Sequence, residues 1–162
     1  MASVRDVILF GMLLFIFGTF FFIVNFVTKT MVTELVSIPT INNTEVAREA
    51  FTDLNSTVDR LDYLLFGLFI GITLGIIVSG WYVSGNPLYM FLYFLVLVIG
   101  VIFSMGLANV WYSAIAENVI FGTTISSFPI TNHLMTYLPI YTAIIGMLGT
   151  VVMFAKPQVR SL

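Results

Sequence analysis

The chain is predicted to be an all-α integral membrane protein, with four transmembrane helices and a helical hairpin protruding between the first and the second. Three observations carry that prediction. Hydrophobic residues make up 59 % of the 162 positions and charged ones only 9 %. Four long runs hold no charged side chain, and the one charge-rich stretch, between the first two runs, has helical periodicity. A water-soluble domain is roughly 25 % charged, whereas six basic and eight acidic residues cannot cover this one, so most of its surface must face lipid or protein. The absence of cysteine and the high apolar content exclude a disulfide scaffold or a disordered chain. A net charge of −2 without a basic run leaves no means of binding nucleic acid by counterion release.

The first run covers residues 7–27, with Gly11, Gly18, Thr19 and Asn25 as its only non-apolar members. At 1.5 Å per residue it crosses a hydrocarbon layer of roughly 30 Å. It is longer than a signal-peptide core and lacks the small residues of a cleavage site, so it is read as a retained span. The second, third and fourth runs cover 63–83, 88–112 and 137–154. Stretches such as Phe20-Phe21-Phe22-Ile23-Val24 do not alternate in polarity, which excludes barrel strands. Tyr63, Trp81, Tyr82, Tyr89, Trp111, Tyr112 and Tyr137 stand at run ends, as interface anchors do.

The connections differ in character. Ser84-Gly85-Asn86-Pro87 predicts a tight turn and therefore an antiparallel pair formed by the second and third spans. Residues 28–62 predict the arm: Val27, Met31, Leu35 and Ile38 continue the first helix, and Pro39 breaks it. A second helix follows, with Val46, Ala50, Leu54, Val58, Leu61 and Leu65 every three or four residues and Asn42 paired with Glu45 as its cap. Residues 113–136 are too apolar for a free loop and too broken for a span, so they are expected at the interface or folded back over the helix ends, with Pro129 starting the fourth helix.

An even span count puts both termini on one side. The basic residues do not decide which, since Arg5, Lys156 and Arg160 oppose Lys29, Arg48 and Arg60. The free amino terminus, and the acids Glu34, Glu45, Glu49, Asp53, Asp59, Asp62 and Glu117 on the arm side, place the termini in the cytoplasm or its equivalent.

Candidate functional residues fall into two groups. Gly67, Gly71, Gly75 and Ser79 recur at i, i+4 on one helix face, answered by Gly100, Ser104 and Ala108 on the third span. Such faces allow close helix approach in lipid. They can pack on each other within one chain, join copies of the chain, or line a pore. On the arm, Ala50, Phe51 and Leu54 are the expected partner contacts. No catalytic, cofactor or metal site is expected: His133 is the only histidine, Glu117 the only acid near it, and metal sites need three or four ligands. Ser126-Ser127 lie near His133 in sequence, which establishes no nucleophile and base geometry.

The pattern of turns and interface residues, Ser79-Gly80-Trp81, Asn109-x-Trp111, Phe128-Pro129-Ile130-Thr131-Asn132-His133, Leu138-Pro139, Gly146-x-x-Gly149 and Phe154-Ala155-Lys156, resembles small four-span membrane proteins encoded by bacteriophages and other viruses. The resemblance covers residues 67–156 and leaves the arm aside. It implies a structural component of a viral membrane or a membrane-inserted assembly factor, with other membrane or capsid-like proteins as partners and no catalytic residue to carry over. The function expected is therefore structural: a scaffolding component of a membrane assembly. The alternatives are an oligomeric channel or small-solute transporter, with Ser79, Ser104 and Thr150 toward a lumen, and an accessory non-catalytic subunit of a membrane enzyme complex.

Overall fold

A computed structural model describes residues 3–82 and 87–155. The described residues are helical almost throughout and contain no strand. In chain order the α-helices are α1 (Ser3–Val36), α2 (Pro39–Asn42), α3 (Glu45–Asp59), α4 (Leu61–Tyr82), α5 (Pro87–Trp111), α6 (Gly122–Ser126), α7 (Pro129–Thr136) and α8 (Leu138–Phe154). The turn expected over residues 84–87 lies, but for Pro87, outside the described residues, as do Lys156 and Arg160.

Three helical stretches, Ile8–Val36, Glu45–Trp81 and Phe91–Ala116, are long and apolar enough to cross a membrane. The count becomes four if α7 and α8, which bend by 71° at Tyr137, form one broken span. At 34 residues α1 is about 50 Å long and outreaches a hydrocarbon layer of about 30 Å. It stops at Ser37–Ile38, because Pro39 cannot continue a helix but suits the first position of the next, where it starts α2. α3 then returns along α1 and runs through Arg60 into α4. Thr44 rather than Asn42 stands at the N-cap position of α3, and its side chain makes no capping hydrogen bond, while the side chain of Asn42 lies outside the description.

The packing order differs from the one the short turn suggested. α1 and α8 lie together at the centre, α4 packs on both from one flank, and α5 packs on both from the other. α4 and α5 are therefore not the tightly packed pair expected of a hairpin. The core runs through Phe10, Leu14, Phe22, Leu65, Ile76, Trp111, Phe128, Leu134, Met135, Leu138 and Ile145.

The connection after α5 explains its own apolar composition. One π-helical turn, Tyr112–Ala116, closes with the Glu117 amide donating to the Tyr112 carbonyl at 2.9 Å. The Asn118 side chain caps the 3-10 turn Val119–Phe121. Phe121, Ile125, Phe128 and Ile130 then pack on the core, so the segment folds over the helix ends. Phe22 is its anvil: its ring meets Trp111, Phe121 and Phe128 edge-on at 5.4, 5.6 and 6.1 Å.

Candidate functional site

The densest polar cluster lies where α1, α3, α4 and α7 meet. α7 needs an acceptor at its start, because the first amides of a helix have no partner within it and its N-cap residue, Phe128, carries no oxygen in its side chain. Asp62, in the first turn of α4, supplies one from 68 positions away. Its carboxylate accepts the Ile130 amide at 3.0 Å, and the Thr131 amide and hydroxyl at 2.7 Å each. Asp62 is only 3 % exposed and forms no ion pair among the described residues. Its charge is held by three hydrogen bonds and by the positive end of α7. Asp62, counted in the sequence only among the acids on the arm side, is thus a buried acceptor. The signal was present, since a proline-led helix without a capping side chain demands an external acceptor, and Asp62 is the acid abutting an apolar run.

Next to this pin, α7 is tied to α5. The Trp111 indole donates to Asn132 Oδ1 at 3.1 Å, and the tryptophan is wholly buried. Trp111 is thus a core residue rather than an interface anchor. Tyr63, Trp81, Tyr112 and Tyr137 are exposed as expected of anchors, while the side chains of Tyr82 and Tyr89 lie outside the description.

Toward the arm, Lys29 on α1 pairs with Asp59 at 2.7 Å and donates to Ser127 Oγ at 3.1 Å, linking α1, the end of α3 and the approach to α7. Asn25, one turn below Lys29, is fully buried. It donates weakly to Asp59 at 3.4 Å and leaves its own oxygen without a partner. Beside Lys29 opens a cavity of about 360 Å³ lined by Phe26, Lys29, Thr30, Thr33, Glu34, Thr123, Thr124 and Ser127.

The small-residue faces do not meet. Gly67, Gly71 and Gly75 are exposed, and a methyl group built on any of them touches nothing within 4 Å. Ser79, half-buried, donates to its own helix at Ile76. On α5, Gly100 and Ser104 are buried and Ala108 is half-buried. Ser104 lies 2.9 Å from Thr142 of α8, and the two hydroxyls also approach the Gly100 and Leu138 carbonyls, so two protons serve three contacts. The packing of Gly67, Gly71 and Gly75 on Gly100, Ser104 and Ala108 within one chain is therefore overturned, because α1 and α8 stand between α4 and α5.

The glycines that bring helices together are others. Gly80 of α4 lies against the backbone of Gly149, whose carbonyl would be 3.3 Å from an added methyl. Gly149 faces the Tyr93 hydroxyl, and Gly146 faces Leu97 so closely that an added methyl would collide with it. Tyr93 also donates to the Gly146 carbonyl at 3.1 Å, tying α5 to α8. Gly146-x-x-Gly149 stood in the sequence as a motif without an assigned neighbour.

On the arm, Ala50 and Leu54 are exposed and Phe51 is half-buried. The inward stripe of α3 is displaced from the expected one. Ala47, Phe51, Asn55 and Val58 are turned away from solvent, whereas Val46 and Leu54 are 74 % and 42 % exposed. His133 is exposed with its ring 4.7 Å from that of Tyr137. No cluster of three or more metal-ligating side chains occurs among the described residues. No family model matches the chain, and no curated protein or solved structure shows significant similarity to it.

Proposed function

We propose that this chain is a non-catalytic, structural component of a larger membrane assembly, crossing the bilayer four times with α7 and α8 as one broken span. The arm formed by the end of α1, α2 and α3 projects beyond the bilayer and meets a partner through Ala50 and Leu54, with Phe51 bracing α3 against α1. The observation that carries this reading is the bare stripe of Gly67, Gly71 and Gly75 on the outer face of α4. A face without side-chain bulk is where another helix gains most van der Waals contact in lipid. The resemblance to small viral four-span proteins supports a place in a virion membrane or its assembly.

Native mass spectrometry of the complex, extracted gently from its own membrane, tests the proposal. A defined hetero-complex, or recovery only in virus particles, supports it. Ion or solute flux through the purified protein in liposomes that is lost in Gly71→Leu would overturn it in favour of a channel. Cysteines placed at Asn55 and Gln158 are expected to label from opposite sides of the membrane, and same-side labelling would refute the fourfold crossing.

A further inference from the structure

The cavity beside Lys29 straddles the level at which α1 changes from lipid-compatible to polar. Phe26 stands at its apolar end and Glu34 at its polar end, two helical turns apart. Below it, Ile23 and Val27 are exposed and lie on the same side of α1 as Thr30 and Glu34, at spacings of i, i+4, i+7 and i+11.

The cavity's hydrogen-bonding capacity is lopsided. The Thr30 and Thr33 hydroxyls donate to the Phe26 and Lys29 carbonyls at 2.8 Å, and Ser127 donates to the Thr124 carbonyl at 2.9 Å. With those protons committed, the hydroxyls offer lone pairs, and Glu34 adds a carboxylate that forms no ion pair among the described residues. The donor is Lys29. Two of its three N–H groups go to Asp59 and Ser127, and the third meets no protein acceptor among the described residues. Asp59, outside the cavity lining, already balances the Lys29 charge, so the local sum with Glu34 is negative.

We propose that this cavity holds the headgroup of phosphatidylethanolamine, with the phosphate on the third N–H of Lys29, the ammonium on Glu34 and the threonine hydroxyls, and an acyl chain along Ile23 and Val27. The inference rests on the membrane reading above. The lining itself is neutral, Lys29 against Glu34, and Asp59 already balances Lys29 from beside it, which disfavours an anionic lipid, because its phosphate would meet a cation that is already balanced. A choline headgroup brings no N–H for the carboxylate and hydroxyl lone pairs. An ethanolamine headgroup brings both the acceptor that Lys29 lacks and three donors for the acceptor-rich wall.

The test uses the full chain in nanodiscs of phosphatidylcholine doped with equal amounts of phosphatidylethanolamine and phosphatidylglycerol, with retained lipid counted by native mass spectrometry. Phosphatidylethanolamine should be retained about tenfold over either competitor, the discrimination that one charged hydrogen bond supplies. Glu34→Gln and Thr33→Val, both at exposed positions, should each reduce that preference, Glu34→Gln to near parity. Lys29 is left intact because it also ties α1 to Asp59 and Ser127. Equal retention of the three lipids, or an unchanged preference in Glu34→Gln, would overturn the proposal. So would displacement of the lipid by free phosphoethanolamine at equal concentration, which would assign the site to a soluble phosphoester. Alkaline carbonate washing of the native membrane checks the underlying reading separately: release into the supernatant refutes membrane insertion, and retention upholds it whatever the lipid preference.

Discussion

The two faces of α4 are made of similarly apolar residues and have opposite fates. Toward the bundle, Asp62, Leu65, Phe69, Ile72, Ile76 and Gly80 form a stripe in which every member touches α1, α7 or α8 or packs on the shared core. Toward the outside, Gly67, Gly71 and Gly75 are bare, between the exposed side chains of Leu64, Ile70, Leu74 and Val78. The contrast shows that a glycine's role in a bundle is set by what lies opposite. Gly80 is a point of backbone contact, and Gly71 is an uncovered surface.

The strongest way to break the inner face is Asp62→Ala. It removes the acceptor of two amides and a hydroxyl at the start of α7, and leaving such buried donors unpaired costs about 2–4 kcal/mol. Thermal unfolding in detergent should occur at markedly lower temperature, with the Trp111 emission shifted to the red as α7 loosens from its indole partner Asn132. Asp62→Asn keeps one acceptor oxygen but turns an NH2 toward an amide, so its loss should lie between wild type and alanine.

Next in size is Gly80→Leu, which forces bulk against the Gly149 carbonyl and Met153, with an expected cost of about 1–3 kcal/mol. Gly146→Leu should behave alike against Leu97. Gly71→Leu sharpens the comparison from the other side. The unfolding temperature of the isolated protomer should change little, within about 0.5 kcal/mol, as for a surface site, while the fraction of assembled complex in native mass spectra should fall. An unfolding temperature lowered as far as that of Gly80→Leu would show that the two faces are not distinct.

The smallest effect is expected from Lys29→Met. The Lys29–Asp59 pair is partly solvent-exposed, at 31 % and 47 %, and such pairs contribute about 0–1 kcal/mol. Unfolding at raised salt should show a small wild-type loss that the variant lacks.

Much of this architecture was legible in the residues. Charge-free runs marked the apolar helices, Pro39 marked the break after α1 and Pro129 marked a helix start, because proline's missing N–H acts locally whatever surrounds it. The arm was harder. Its apolar positions fit two stripes, Val46-Ala50-Leu54 and Ala47-Phe51, and only contact with α1 selects the second. Trp111 was misread, and the role of Asp62 was not seen, because each sits at a run end, where a solvated acid and an interface aromatic look the same in sequence as a pin and a core residue.

By itself, then, the sequence determined what is decided by transfer between water and an apolar phase: which segments are helical and apolar, where they break, and that charge gathers in one connection. The tertiary structure alone decided which face of each helix turns inward. Where a helix is apolar all round, lipid and protein core are equally apolar surroundings, so no polarity pattern marks the inner side. Shape and hydrogen bonding make that choice, through Asp62 on α7, Tyr93 on Gly146 and the close backbones at Gly80 and Gly149, and each of these joins residues more than fifty positions apart.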